Sequence, residues 1–181
     1  MNLEKRKVDS KVSLEERTIE GKAISFNTDS CNMGFVETIK PESATEDFLD
    51  TQEIYMLFNH DENDVLGRSK RGVGNLSYEV RDDGVYFKCK LFNNTVADKA
   101  LSYIEGGLAD GCSFGFIVDP EKEDWQWENG IARRTIRGFK KICEFSVVFD
   151  PAYADTTVTC RSYDNFLKDS YEQLRKKILE K

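Results

Sequence analysis

Three polar residues stand where the surrounding apolar pattern does not need them: His60, Ser113 and Glu144. His60 is the one histidine of the chain, in Phe58-Asn59-His60-Asp61. An imidazole titrates near neutrality and is the common general base. Ser113 lies in Gly111-Cys112-Ser113-Phe114-Gly115-Phe116, between small residues and large aromatics that leave room for a carbonyl. Its hydroxyl is a poor nucleophile until a base takes the proton. Glu144 lies in Ile142-Cys143-Glu144-Phe145-Ser146-Val147-Val148-Phe149, where a carboxylate carries a desolvation cost unless a partner offsets it. An imidazole N–H would be such a partner, fixing the tautomer that leaves the other nitrogen free.

Each residue also has a plainer reading: a polar strand terminus for His60, an outer-face serine for Ser113, a solvated side beside Ser146 for Glu144. Taken together they allow a Ser-His-Glu hydrolase and no more. The G-x-S-x-G elbow, the phosphate-binding glycine loop and the metal-binding histidine pair are missing. Cys112 is intrinsically the better nucleophile, but it shares its parity with Phe114, Phe116 and Val118, an apolar set expected to face the core. Ser113 shares its parity with Gly115, where absent bulk leaves space.

The elements that must position these residues are mostly strands. Residues 1–16 are charged, lack a clear period and read as a loose arm. Strands are expected over Arg17–Phe26, Phe35–Ile39 and Glu53–Phe58, with His60 just beyond the end of the last. Pro41-Glu42-Ser43 opens a short helix to about Leu49. Leu76–Arg81 and Val85–Phe92 flank Asp82-Asp83-Gly84 as a hairpin, and Asn129-Gly130 marks another between Trp125-Gln126-Trp127 and Ile131–Ile136. Asn94 caps a helix that ends at Gly106-Gly107. Cys112–Val118 and Lys141–Phe149 are further strands, and Phe166, Tyr171, Leu174 and Ile178 mark an amphipathic C-terminal helix. The fold class expected is α+β, mainly β, a barrel or sandwich with helices outside.

With 181 residues and 39% hydrophobic content the chain fits one domain with a modest appendage. A net charge of −7 argues against a general nucleic-acid binder; the basic clusters at Arg68–Arg71 and Arg133–Lys141 read as solvated strand edges. No apolar run reaches the ~20 residues of a membrane span, and no apolar stretch follows the N-terminal charges as in a secretory signal. Five cysteines without CxxC pairing, beside a single histidine, fit reduced thiols rather than a disulfide framework or zinc site. A soluble, intracellular protein with no cofactor and no metal is expected.

The ordered fragments carry a more specific likeness. Ile19-Glu20-Gly21-Lys22-Ala23, then Leu57-Phe58-Asn59-His60-Asp61 and Val65-Leu66-Gly67, the helix before Gly106-Gly107-Leu108, Gly111–Phe116, Cys143–Val148 and Asp150-Pro151-Ala152 follow one another in a specific order. From about Arg17 to Thr159 the chain resembles the prohead (capsid-maturation) proteases of tailed phages. The resemblance implies a herpesvirus-protease-like β-barrel with flanking helices. It implies His60 as general base, Ser113 as nucleophile and Glu144 as the group orienting the base, a place held by a second histidine in the herpesvirus enzymes. The oxyanion arginine pair of those enzymes is not transferred to Arg133-Arg134, which precede Glu144; backbone N–H groups of Ala152 and Tyr153 are the candidates instead. The implied substrates are the major capsid protein's scaffolding segment, the scaffold and the protease's own termini. The implied setting is the prohead assembling in the host cytoplasm.

The expected organisation is an arm (1–16), a protease domain (17–162) and a C-terminal helix (163–181) that covers a flank or serves homo-oligomerisation. Two rivals stand beside the protease: an inactive β-rich assembly module that binds scaffold or capsid protein, and a hydrolase of a different small substrate on the same triad.

Overall fold

β-Branched and aromatic residues at alternating positions build most of the chain into strands. The computed structural model describes residues 3–8, 13–15, 17–149 and 161–179. The largest sheet runs β1 (Glu4–Val8), β10 (Gly111–Val118), β13 (Phe139–Val148), β5 (Glu53–Phe58), β6 (Asp61–Lys70) and β7 (Val73–Gly74) in spatial order. A second orders β2 (Ser13–Glu15), β3 (Thr18–Ser25), β9 (Gly84–Lys90) and β8 (Leu76–Arg81). A third orders β11 (Glu123–Glu128), β12 (Ile131–Ile136) and β4 (Val36–Ile39). The helices are α1 (Glu46–Leu49), α2 (Thr95–Glu105) and α3 (Arg161–Leu179), with a single 3₁₀ turn at Pro41–Ser43. No helix among the described residues is long and apolar enough to cross a membrane.

The mainly β, α+β class is as expected, but among the described residues the ladders form three sheets and no closed barrel. β3 packs against β10 and β1 without joining their sheet. The core between them is apolar on the expected parity: Cys112, Phe114 and Phe116 of β10 are fully buried with Ile142, Phe145 and Val147 of β13. The Phe114 and Phe116 rings stack at 4.7 Å and Phe139 meets Phe116 edge-on at 5.0 Å.

The hairpin signals hold in detail. Asn129 and Gly130 both have positive φ (51° and 80°), the type I′ turn that matches strand twist. Asn94 caps α2 by accepting the Ala97 N–H. The helix expected from Pro41 is divided: the 3₁₀ turn ends at Ser43, and Thr45 caps a separate α1.

Residues 1–16 are not simply a loose arm, for they contain β1 and β2. β1 pairs antiparallel with β10, Lys7 opposite Ser113. Beside that ladder its hold on the fold is ionic. Arg6 Nε donates to Glu37 Oε1 at 2.8 Å, and Arg134 bonds Glu4, Glu37 and Glu123 at 2.6–2.9 Å. Arg134, expected on a solvated edge, is 1% exposed. A charge period cannot reveal this, because a buried ion network reads in sequence like a solvated face.

The network carries an acid dependence. Burial raises the Glu4 carboxyl, but hydrogen bonding to Arg134 and the charges of Arg134 and Arg6 outweigh it, and the net direction is below the ordinary 4.5. Its stabilisation is therefore complete above that value and is lost as pH falls through the depressed folded one. Wild type should lose more stability between pH 6 and pH 3 than Glu4→Gln, read from urea midpoints; equal losses would exclude this role for Glu4.

Candidate active site

The site is built on the β5–β6 hairpin and the β10–β13 ladder. Phe58 and Asp61 are paired, so Asn59 and His60 form the two-residue loop, with φ of 53° and 62°. A type I′ turn demands this left-handed backbone at both positions, where asparagine and histidine are among the more tolerant side chains. The Asn59 N–H donates to the Val147 carbonyl at 2.7 Å, tying the turn to β13. The Phe58 ring packs on Tyr103 of α2 at 5.6 Å and on Phe149 at 5.4 Å, fixing the strand end that delivers His60.

The turn makes a testable demand. Valine at position 59 would be forced into the left-handed region at a cost of about 1–2 kcal/mol. Asn59→Val should lower stability by that order and disturb the His60–Glu144 contact, whereas Asn59→Gly should keep both. Equal denaturation midpoints and equal imidazole NMR spectra for the two variants would contradict it.

His60 Nδ1 and Glu144 Oε1 are 2.8 Å apart. Glu144 is 5% exposed, so the carboxylate expected inside the apolar strand is buried with an imidazole beside it. Its other oxygen, Oε2, accepts from the Ser146 hydroxyl. Gly115 lies opposite Glu144 in the ladder, and a Cβ there would come within 2.5 Å of Glu144 Oε1. Asp61, the other carboxylate near His60 in sequence, instead accepts from the Asn63 N–H and amide, and this backbone bond, ahead of the side-chain one, lowers its pKa.

Ser113 is opposite Ser146 on β13 and shares with Gly115 the sheet face of Glu144 and Ser146. It is 3% exposed. Its hydroxyl donates to the Arg6 carbonyl of β1 at 2.8 Å and not to His60. Cys112 points the other way, into the aromatic core. Ala152 and Tyr153 lie outside the described residues. Sequence reading missed Ser146 as a partner of Glu144; residues two apart on one strand share a face, which was the available signal. Among the described residues no three His, Cys, Asp or Glu side chains gather as a metal site requires.

The structure thus holds His60 against the buried Glu144 carboxylate, and Ser113 lies on the sheet that carries Glu144. The chain belongs to the caudovirus prohead serine proteases, whose family model matches residues 1–169. Its role is therefore that of a protease in phage head maturation. The fold is similar to that of the bacteriophage T4 capsid assembly protease, at a TM-score of 0.59 and 13% identity, over 82% of this chain and 98% of that one. Among curated proteins none matches.

Proposed function

We propose that His60, Ser113 and Glu144 form the catalytic triad of this protease and that it cuts the scaffold, the scaffolding segment of the capsid protein and its own termini inside the assembling prohead. The observation that carries this reading is the 2.8 Å contact between His60 Nδ1 and the buried Glu144 carboxylate. With Nδ1–H donated to Glu144, the lone pair of Nε2 is free to take a proton. Ser113 attacks the peptide carbonyl as His60 accepts its proton, and the same imidazole protonates the departing amine. Water then attacks the acyl-enzyme with His60 again as base. Before attack the Ser113 hydroxyl must leave the Arg6 carbonyl, a side-chain rotation between staggered wells.

Oxyanion N–H groups from Ala152 and Tyr153 belong to the same reading. So does self-association through α3, whose Tyr171, Leu174 and Ile178 are exposed while Phe166 stacks on Trp125.

A second reading, a module that binds capsid or scaffold without cutting, would keep Ser113 on the Arg6 carbonyl. Co-expression with the capsid and scaffold proteins of the same phage, followed by intact-mass measurement of all three, separates the two. New termini that depend on the protease support the triad; stable complexes of uncut chains support the binding module.

A further inference from the structure

We infer that Ser146 is a positioning residue for the His60–Glu144 pair, with Gly115 supplying the space in which it works. The inference rests on the reading of Glu144 as the group that orients His60. Ser146 is fully buried and its hydroxyl donates to Glu144 Oε2, while Oε1 faces His60 Nδ1. The carboxylate is thus held at both oxygens, by a donor from its own strand and by the imidazole. On the β10 side the place is kept open by a missing side chain, since a Cβ on residue 115 would lie 2.5 Å from Oε1 and 3.1 Å from Cδ. Any alanine there must push the carboxylate away.

The chemistry requires this restraint. A general base in a neutral imidazole needs its proton on Nδ1, and a carboxylate that can swing no longer selects that tautomer. A buried carboxylate oxygen also needs a hydrogen-bond donor, because burial without one costs free energy. Ser146 answers both demands with one hydroxyl. It has no place in the bond-making steps, because its proton is committed to Glu144.

The test uses the full chain and the fact that it has one histidine, so its imidazole ¹⁵N signals need no assignment. Ser146→Ala, Gly115→Ala and Glu144→Gln are compared with wild type for kcat, KM and the tautomer of the resting imidazole. Wild type should show the Nδ1–H form. Ser146→Ala and Gly115→Ala should mix the tautomers and lower kcat by roughly 10- to 100-fold, the scale of a small misplacement of a reacting group, with KM nearly unchanged. Ser146→Ala with wild-type kcat and a wild-type imidazole spectrum, while Glu144→Gln is impaired, overturns the role of Ser146. Wild-type kcat in Glu144→Gln overturns instead the reading beneath it. Should Ser146→Ala fail to fold, Gly115→Ala decides: full kcat with an unmixed tautomer contradicts the inference.

Discussion

Ser113→Ala is expected to lower kcat for peptide hydrolysis by on the order of 10⁴ to 10⁶, the range over which loss of a nucleophile is felt in serine proteases. The fold should survive. The hydroxyl makes one hydrogen bond, to the Arg6 carbonyl, and a bond of that kind contributes about 1 kcal/mol. Alanine is accepted at a buried strand position without new bulk, and Phe114 and Phe116 face the other side of the sheet. A urea midpoint close to wild type together with loss of cleavage is the predicted pair of results. Comparable cleavage in a folded Ser113→Ala protein would remove Ser113 from the mechanism and turn attention to Cys112.

The second large effect is expected at Glu144. Glu144→Gln keeps the shape of the side chain but removes the charge that, in the proposed triad, stabilises the imidazolium formed as Ser113 attacks. The replacement amide has one acceptor oxygen for two neighbours, the Ser146 hydroxyl and, in the proposed triad, His60 Nδ1–H. If the hydroxyl turns to accept from the amide, the useful tautomer of His60 is retained and only the charge is lost. If the amide donates to Nδ1, the proton moves to Nε2 and the base is disabled. A fall in kcat of about 10² to 10⁴ spans these two outcomes. Adding Ser146→Ala to Glu144→Gln should therefore be less than additive, because both act through the same carboxylate position. Fully additive losses in kcat would show that the two residues work separately.

Much of this site was legible before any coordinates. Strand alternation placed Ser113 with Gly115 and Cys112 with Phe114, while the apolar surroundings of Glu144 left a buried, partnered carboxylate and a solvated one equally open. His60 was found at the strand end, but the left-handed turn that presents it was not read from Asn59-His60, because the acidic run Asp61-Glu62-Asn63-Asp64 hid the returning strand β6. Of that run only Asp61 pairs with β5, opposite Phe58, and the register shifts before Val65 pairs with Leu57. β1 was missed for a related reason. Glu4-Lys5-Arg6-Lys7 has the charge of a solvated arm, and its strand pairs with β10 and is tied by Glu37 and Arg134, all far along the chain. Non-local ion pairs leave no period in a sequence. The hydroxyl of Ser146 was visible but looked like a marker of the wet side of its strand, when its partner was the carboxylate two residues away.

The most direct test of the central claim is adduct mapping with a serine-directed phosphonate on a preparation already shown to process its co-expressed capsid or scaffold protein. Peptide mapping should find the phosphonate on Ser113, with labelling lost in His60→Ala and retained in Cys112→Ala. An adduct on another residue, labelling of Ser113 that does not need His60, or no adduct at all in a preparation that cleaves would contradict the account.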